Sequence, residues 1–390
     1  MAETAPVGDG ASLAPAAPAA PEPRRLIPVV CHGHTRPVTH LCFSTMKWGN
    51  YHIVSSSKDS IPLVREGKTG DWYVDQMGAI WNARESNDWT RAVSASADFS
   101  ARVWDASTGE LLYNLTHKHV VRAADFCPSS NDIIITASND GVLRLWILSK
   151  IGTPTPEGPE RIVTPVQGHW EQGQGEYVFT VGKHQPNRAI KYAVWLGYSD
   201  RAPIPDLVNK TGAVVTAQDK TVYWWQLSEI GAEGHDDSKP WKEYSFDSEI
   251  TCCERFALDP DYAHESDIGG GRQVLGVAAG KKVVFWDEEG SEPPLRVFEK
   301  DWRVSSVAID VKNGKVLMGQ AESTWAVMVD WKTGNEEQVL KAHHGPIHSM
   351  SFSPDNKIFI TGSEDGTVRL WKNCEGDYGL WKGKAAPDSG

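Results

Sequence analysis

Serine, histidine and aspartate recur together along this 390-residue chain, a combination able to run nucleophilic acyl transfer. His117, Ser138 and Asp140 form one set, closed by Trp146 in SNDGVLRLW. His343, Ser363 and Asp365 form another, closed by Trp371 in SEDGTVRLW. A third has His34, Ser57 and Asp59, with Arg65 where the others carry Trp. A fourth has Ser96, Asp98 and Trp104, with Gln76 at the histidine position, and Asp219 with Trp225 is a fragment of a fifth. One active site has no use for repeated copies of its triad. The residue types suit a different role, because an indole N–H only donates, hydroxyl and neutral imidazole do both, and carboxylate only accepts. A relay Trp→Ser→His→Asp satisfies every member, so these residues are expected to be buried structural tetrads rather than a catalytic site.

Each set needs a hairpin to hold it. A polar turn around Asp precedes a strand of alternating apolar residues that ends in a large side chain. Looser copies at 57–65, 217–225, 278–286 and 321–329 bring the count to seven units. Four of the six steps between their closing residues are 39–43 residues, the length of one WD-repeat blade. The two longer steps require insertions, read from their Pro, Gly and acid content as loops near 151–188 and 259–271. Apolar strands such as the one in HHGPIHSMSF precede the hairpins, and segments such as GELLYNL follow them, giving four antiparallel strands per unit. The predicted fold is all-β: a seven-bladed WD40 β-propeller over 25–382, with RLIPVV (25–30) closing the ring as outer strand of the last blade. YGLW at 378–381 is expected to pack back on the ring.

Composition agrees with such a body and narrows its chemistry. Seventeen Trp fit a fold whose blades are packed by large side chains. A net charge of −12 weighs against direct binding to nucleic acid or anionic membrane. Six Cys without a C-x-x-C spacing read as buried thiols, and no metal site, cofactor or small-molecule substrate is expected. GKTGDW (67–72) lacks the upstream Gly of a phosphate loop, since Pro62 stands there. Residues 1–24 are Ala/Pro-rich and carry Glu3, Asp9 and Glu22, so they read as a disordered tail, as do 383–390. No apolar run is long enough to cross a membrane, and the expected location is cytoplasm and nucleus.

Several phrases go beyond generic blade sequence: GHTRPV (33–38), REGKTGDW (65–72), GAIW (78–81), ADFSARVWDASTGE (97–110), HKHVV (117–121), GSEDGTVRLW (362–371) and DYGLW (377–381). In these the chain resembles the serine/threonine kinase receptor-associated family of WD40-repeat proteins. That resemblance implies a non-enzymatic scaffold acting in ribonucleoprotein assembly around the survival motor neuron complex, in mRNA processing or translation control, or in kinase-receptor signalling. Its partners would be proteins of those assemblies, with RNA engaged indirectly. The WD-repeat subunit of translation initiation factor three has similar blades, although KTGDW and YGLW favour the first family. An enzyme using the central channel is the reading from another class, and it needs converging acids or metal ligands on one face. Loops at the Asp turns and before the first strand of each unit gather on one face of such a disc. Candidate partner-binding residues there are Arg36, Lys58, Trp81, Lys118, Asn139, Gln218, Trp302, Arg303, His348 and Glu364, with Trp81, Trp302 and Arg303 leading because Trp and Arg dominate interface hot spots.

Overall fold

A computed structural model describes residues 26–60, 62–70, 79–128, 130–151, 162–163, 176–180, 188–198, 212–226, 240–256, 268–271, 273–287 and 290–381. Gln76, both terminal segments and most of the two insertions lie outside them. Seven separate sheets follow one another along the described chain, and they coincide with the seven units read from the repeat. Each blade starts with its innermost strand: Val38–Phe43, Ile80–Glu85, Val121–Cys127, Tyr192–Tyr198, Ile250–Phe256, Val304–Asp310 and Ile347–Phe352. The first blade has three strands among the described residues.

Closure is as expected. Val29–Cys31 joins the last blade as its outer strand, pairing antiparallel with Val368–Lys372 in the register Val30↔Arg369. The YGLW segment also returns to the ring, for Tyr378 and Trp381 pack on the core shared by the first and last blades. The Tyr378 hydroxyl reaches Tyr51 Oη at 2.8 Å and donates to Asp355. The first insertion is more than a loop. Its Glu176–Thr180 supplies the outer strand of blade three, and Ile162–Val163 adds a parallel fifth strand to blade two. The second contributes a single 3-10 turn, Ile268–Gly271, among the described residues.

The blades are apolar on both faces, as a wedge between two neighbours must be. Val274–Ala279, for example, is buried along its whole length. Apolar packing is non-directional, so something else must set how neighbouring blades are aligned. At every one of the seven junctions a side chain of one innermost strand is hydrogen-bonded to the backbone of the next. Thr39 Oγ1 donates to Ile80 O (2.7 Å), Ala124 N to Asn82 Oδ1 (3.2 Å), and Trp195 N to Asp125 Oδ2 (3.1 Å). Tyr192 Oη donates to Thr251 O (2.5 Å), Thr251 Oγ1 to Val304 O (2.7 Å), Ser305 Oγ to Ile347 O (2.6 Å), and Leu41 N to Ser349 Oγ (2.9 Å). The polar residues on otherwise apolar inner strands thus have a structural use.

Candidate functional site

The recurring Ser, His and Asp are hydrogen-bonded within the blades, but the expected relay is corrected at several points. In the last blade, Trp371 Nε1 donates to Thr361 Oγ1 (2.9 Å), not to Ser363. His343 Nε2 meets the same Thr361 hydroxyl at 2.7 Å, and its Nδ1 lies 3.0 Å from Asp365. In blade three Trp146 and His117 share Thr136 (both 2.8 Å), and His117 Nδ1 bonds Leu115 O rather than Asp140. Asp140 pairs with Arg144 instead (2.8 Å). Trp104 uses Ser94 (3.1 Å), Trp225 uses Thr216 (2.9 Å), and His34 joins Ser55 (2.9 Å) to Asp59 (3.0 Å). Asp219 has no place in such a relay; its carboxylate, half exposed, is 3.8 Å from Arg188.

Register explains the two-residue offset. Trp371 lies opposite Phe359 and Trp146 opposite Ile134, so each indole reaches the next same-face residue rather than the one at the strand end. The strand-end serines have a second duty. Ser57, Ser138 and Ser363 donate to Arg36 O, His119 O and Gly345 O of the preceding loop, at 2.9–3.1 Å. They also accept from the N–H of Asp59, Asp140 and Asp365, and Ser96 accepts likewise from Asp98. Thr361→Val is therefore expected to cost about 1–3 kcal/mol, because it strands the buried Trp371 N–H donor and the His343 Nε2 acceptor, and Ser363→Ala about 1 kcal/mol. Urea midpoints of the two variants check this order.

Arg65, in the place of a Trp, is 1% exposed. Its guanidinium donates to His32 O (2.9 Å) and Gly70 O (3.2 Å), so backbone carbonyls stand in for the hydroxyl that an indole would use.

Burial pushes the His117 imidazole down to about 3, with Arg144 adding to the effect and the bond to Leu115 O opposing it. In the unfolded chain the group titrates near pH 6.5. Between these values only the unfolded state holds the proton, so stability present above about pH 6.5 is lost as the pH falls toward 3. Burial lowers His34 and His343 as well, with Asp59 and Asp365 opposing. The urea midpoint is expected to drop between about pH 7.5 and about pH 4.5, and less steeply in His117→Gln.

On the loop face the innermost strands share a pattern. A buried aliphatic is followed by a residue lining the channel mouth: Val38–Thr39, Ile80–Trp81, Val121–Arg122, Ile190–Lys191, Ile250–Thr251, Val304–Ser305 and Ile347–His348. This ring surrounds a funnel of about 340 Å³. Arg122 and Lys191 were not among the expected residues, although the aliphatic-then-lining pattern, repeated once per blade, could have found them. Trp81 has the Arg122 guanidinium 3.9 Å from its ring centroid and the Lys58 ammonium at 5.8 Å. His348 pairs with Glu364, and Lys191 with Glu249. Arg36, Lys118, Arg303 and Glu364 are exposed around the mouth, and Asn139 is half-buried. The expected Gln218 and Trp302 face inward in part. Gln218 is buried and donates to Arg188 O (3.0 Å), and Trp302 packs against the core of blades five to seven.

The funnel ends at a waist of charged residues from four blades. Arg84 pairs with Glu254 and lies 3.5 Å from Asp125; Arg255 joins Asp125 at 3.1 Å, and His40 meets Glu254 at 3.2 Å. Burial alone would raise the Glu254 carboxyl, but Arg84 and His40 outweigh it and hold it at about 2. A second cavity of about 410 Å³ opens on the opposite face, and Arg84 and Glu254 line both. The waist carboxylates are committed to guanidinium groups, an arrangement unsuited to general acid–base work. Burial also pushes the Cys42 and Cys252 thiols up to about 12, far from a reactive thiolate. Among the described residues no cluster of His, Cys, Asp or Glu is placed to hold a metal ion, and no helix is long and apolar enough to cross a membrane.

Seven radially packed antiparallel sheets, closed by a terminal strand and pinned by Trp-to-hydroxyl bonds, define a WD-repeat β-propeller. The family model described as WD domain, G-beta repeat matches residues 109–146 and 334–372, within blades two and three and blades six and seven. The chain is 32% identical to the serine-threonine kinase receptor-associated proteins of Rattus norvegicus and Homo sapiens over 362 residues, covering 92% of this chain and 86% of each relative. It belongs to the serine-threonine kinase receptor-associated protein family. Eukaryotic translation initiation factor 3 subunit I of Nematostella vectensis is more distant, at 23% identity over 88% of this chain and 95% of that protein.

Proposed function

We propose that this chain is a non-enzymatic scaffold that presents the loop face of its propeller to protein partners in ribonucleoprotein assembly, mRNA processing or translation control. The observation that carries this reading is the ring of exposed side chains, Arg36, Lys118, Arg303 and Glu364, on blades around a mouth whose channel is lined at its waist by ion pairs. Committed carboxylates and protonated buried thiols support the absence of an enzymatic role. Relatives named for association with a serine-threonine kinase receptor support a signalling role as a second reading. Cytoplasm and nucleus are the compartments in which such partners would be met.

A pull-down from native extract tests the proposal, with the wild type beside an Arg36→Glu, Lys118→Glu, Arg303→Glu variant that folds normally. Stoichiometric partners retained by the wild type and lost by the variant are the expected result. Recovery of no stable partner, together with hydrolytic activity in the purified chain, would overturn it.

A further inference from the structure

The ring at the top of the funnel carries Trp81, Arg122, Lys191 and His348 but, among the described residues, no acid, in a protein whose net charge is −12. Lys191 and His348 have carboxylate partners on the rim. Arg122 and Lys58 have no ion pair among the described residues; both are spent on the faces of one indole. Burial depresses Arg122, with the nearby Tyr192 opposing, so its charge is held at a cost that a nearby anion would offset. The Trp81 Nε1 donor is also buried without an acceptor among the described residues. Two cations, Arg122 and Lys58, thus border a cavity of about 340 Å³, room for a side chain or two rather than a folded element.

We infer that the upper funnel is a recognition pocket for a carboxylate side chain, supplied by a single Glu or Asp on a peptide segment of the partner protein. Arg122 and Lys58 neutralise the carboxylate, and the Trp81 ring against which both lie holds them at the funnel. Among the described residues the only acid lining the funnel, Glu254, sits at its floor and is already paired with Arg84. A peptide fits better than a nucleic-acid strand. The funnel has room for a side chain and the protein carries a net charge of −12, so a run of phosphates would be repelled where one inserted carboxylate would not. The inference rests on the scaffold reading and specifies the chemistry of its partner.

The test is fluorescence anisotropy with a labelled, terminally capped peptide bearing one central Glu in an otherwise neutral sequence, its Gln-for-Glu counterpart, and a single-stranded RNA of similar length. The Glu peptide should bind and weaken as salt rises. Arg122→Gln and Lys58→Gln should each weaken it about tenfold, while Lys47→Gln on the opposite face leaves it unchanged. Unchanged melting temperatures establish that the variants fold, and Lys58→Gln carries the test where Arg122→Gln does not. Equal binding of the Gln peptide, no effect of either funnel variant, or tighter binding of the RNA overturns the inference. The scaffold reading fails separately, by absence of any partner of the wild type; partners held equally by wild type and Arg122→Gln sink the funnel alone.

Discussion

Glu254→Ala is expected to lower the stability of the propeller by about 3–5 kcal/mol, the usual cost of removing one member of a buried ion pair. The change strips Arg84 of its closest carboxylate and leaves it 3.5 Å from an Asp125 already engaged by Arg255. It also removes the acceptor of His40. Because these groups come from blades one, two, three and five, the loss is felt across the ring rather than in one sheet. Urea unfolding measures it directly. The double variant Arg84→Met, Glu254→Met removes both charges while keeping volume and should recover most of the loss. A cost below about 1 kcal/mol for Glu254→Ala would mean that the waist is wet and the channel open through the disc.

Trp371→Ala is expected to cost about 3–5 kcal/mol as well, by a different route. The indole is buried, stacked on Phe359 at 5.8 Å, and tied to Thr361, which in turn positions His343 and Asp365. Its strand also bears the closing Val29–Cys31, so the variant loosens the seam of the ring. Trp286→Phe makes the contrast. Trp286 is equally buried, yet its Nε1 has no acceptor among the described residues, and it packs edge-on against Trp224, Tyr244 and Phe246. Only shape is lost there, and the cost should stay under about 1.5 kcal/mol. Thermal unfolding of the two variants should rank them clearly. Equal losses would show that packing alone fastens the blades.

The unit count and the closing strand were legible because local chemistry marks them: an Asp turn, a terminal aromatic, and an apolar segment stranded before the first blade. The hydroxyl partner of each Trp was not. Ser363 and Thr361 point to the same face of one strand, and only the pairing Phe359↔Trp371 decides between them. The same limit applied to Gln218 and Trp302, whose loop positions said nothing about which way their side chains turn. The waist was hidden for another reason. His40, Arg84, Asp125 and Glu254 lie on four strands far apart in the sequence, and only ring closure brings them together. Glu176–Thr180 follows a Gly- and Gln-rich stretch, so it reads as part of a loop, although it completes blade three.

The seam between the ends of the chain has a consequence for biosynthesis. Val29–Cys31 emerges from the ribosome early, but the sheet that receives it is made last. Nascent blades can form one by one, yet each intermediate is an open crescent with a bare apolar flank at either tip. The circle is sealed only once the last blade has been made, and until then those flanks are natural clients for chaperones.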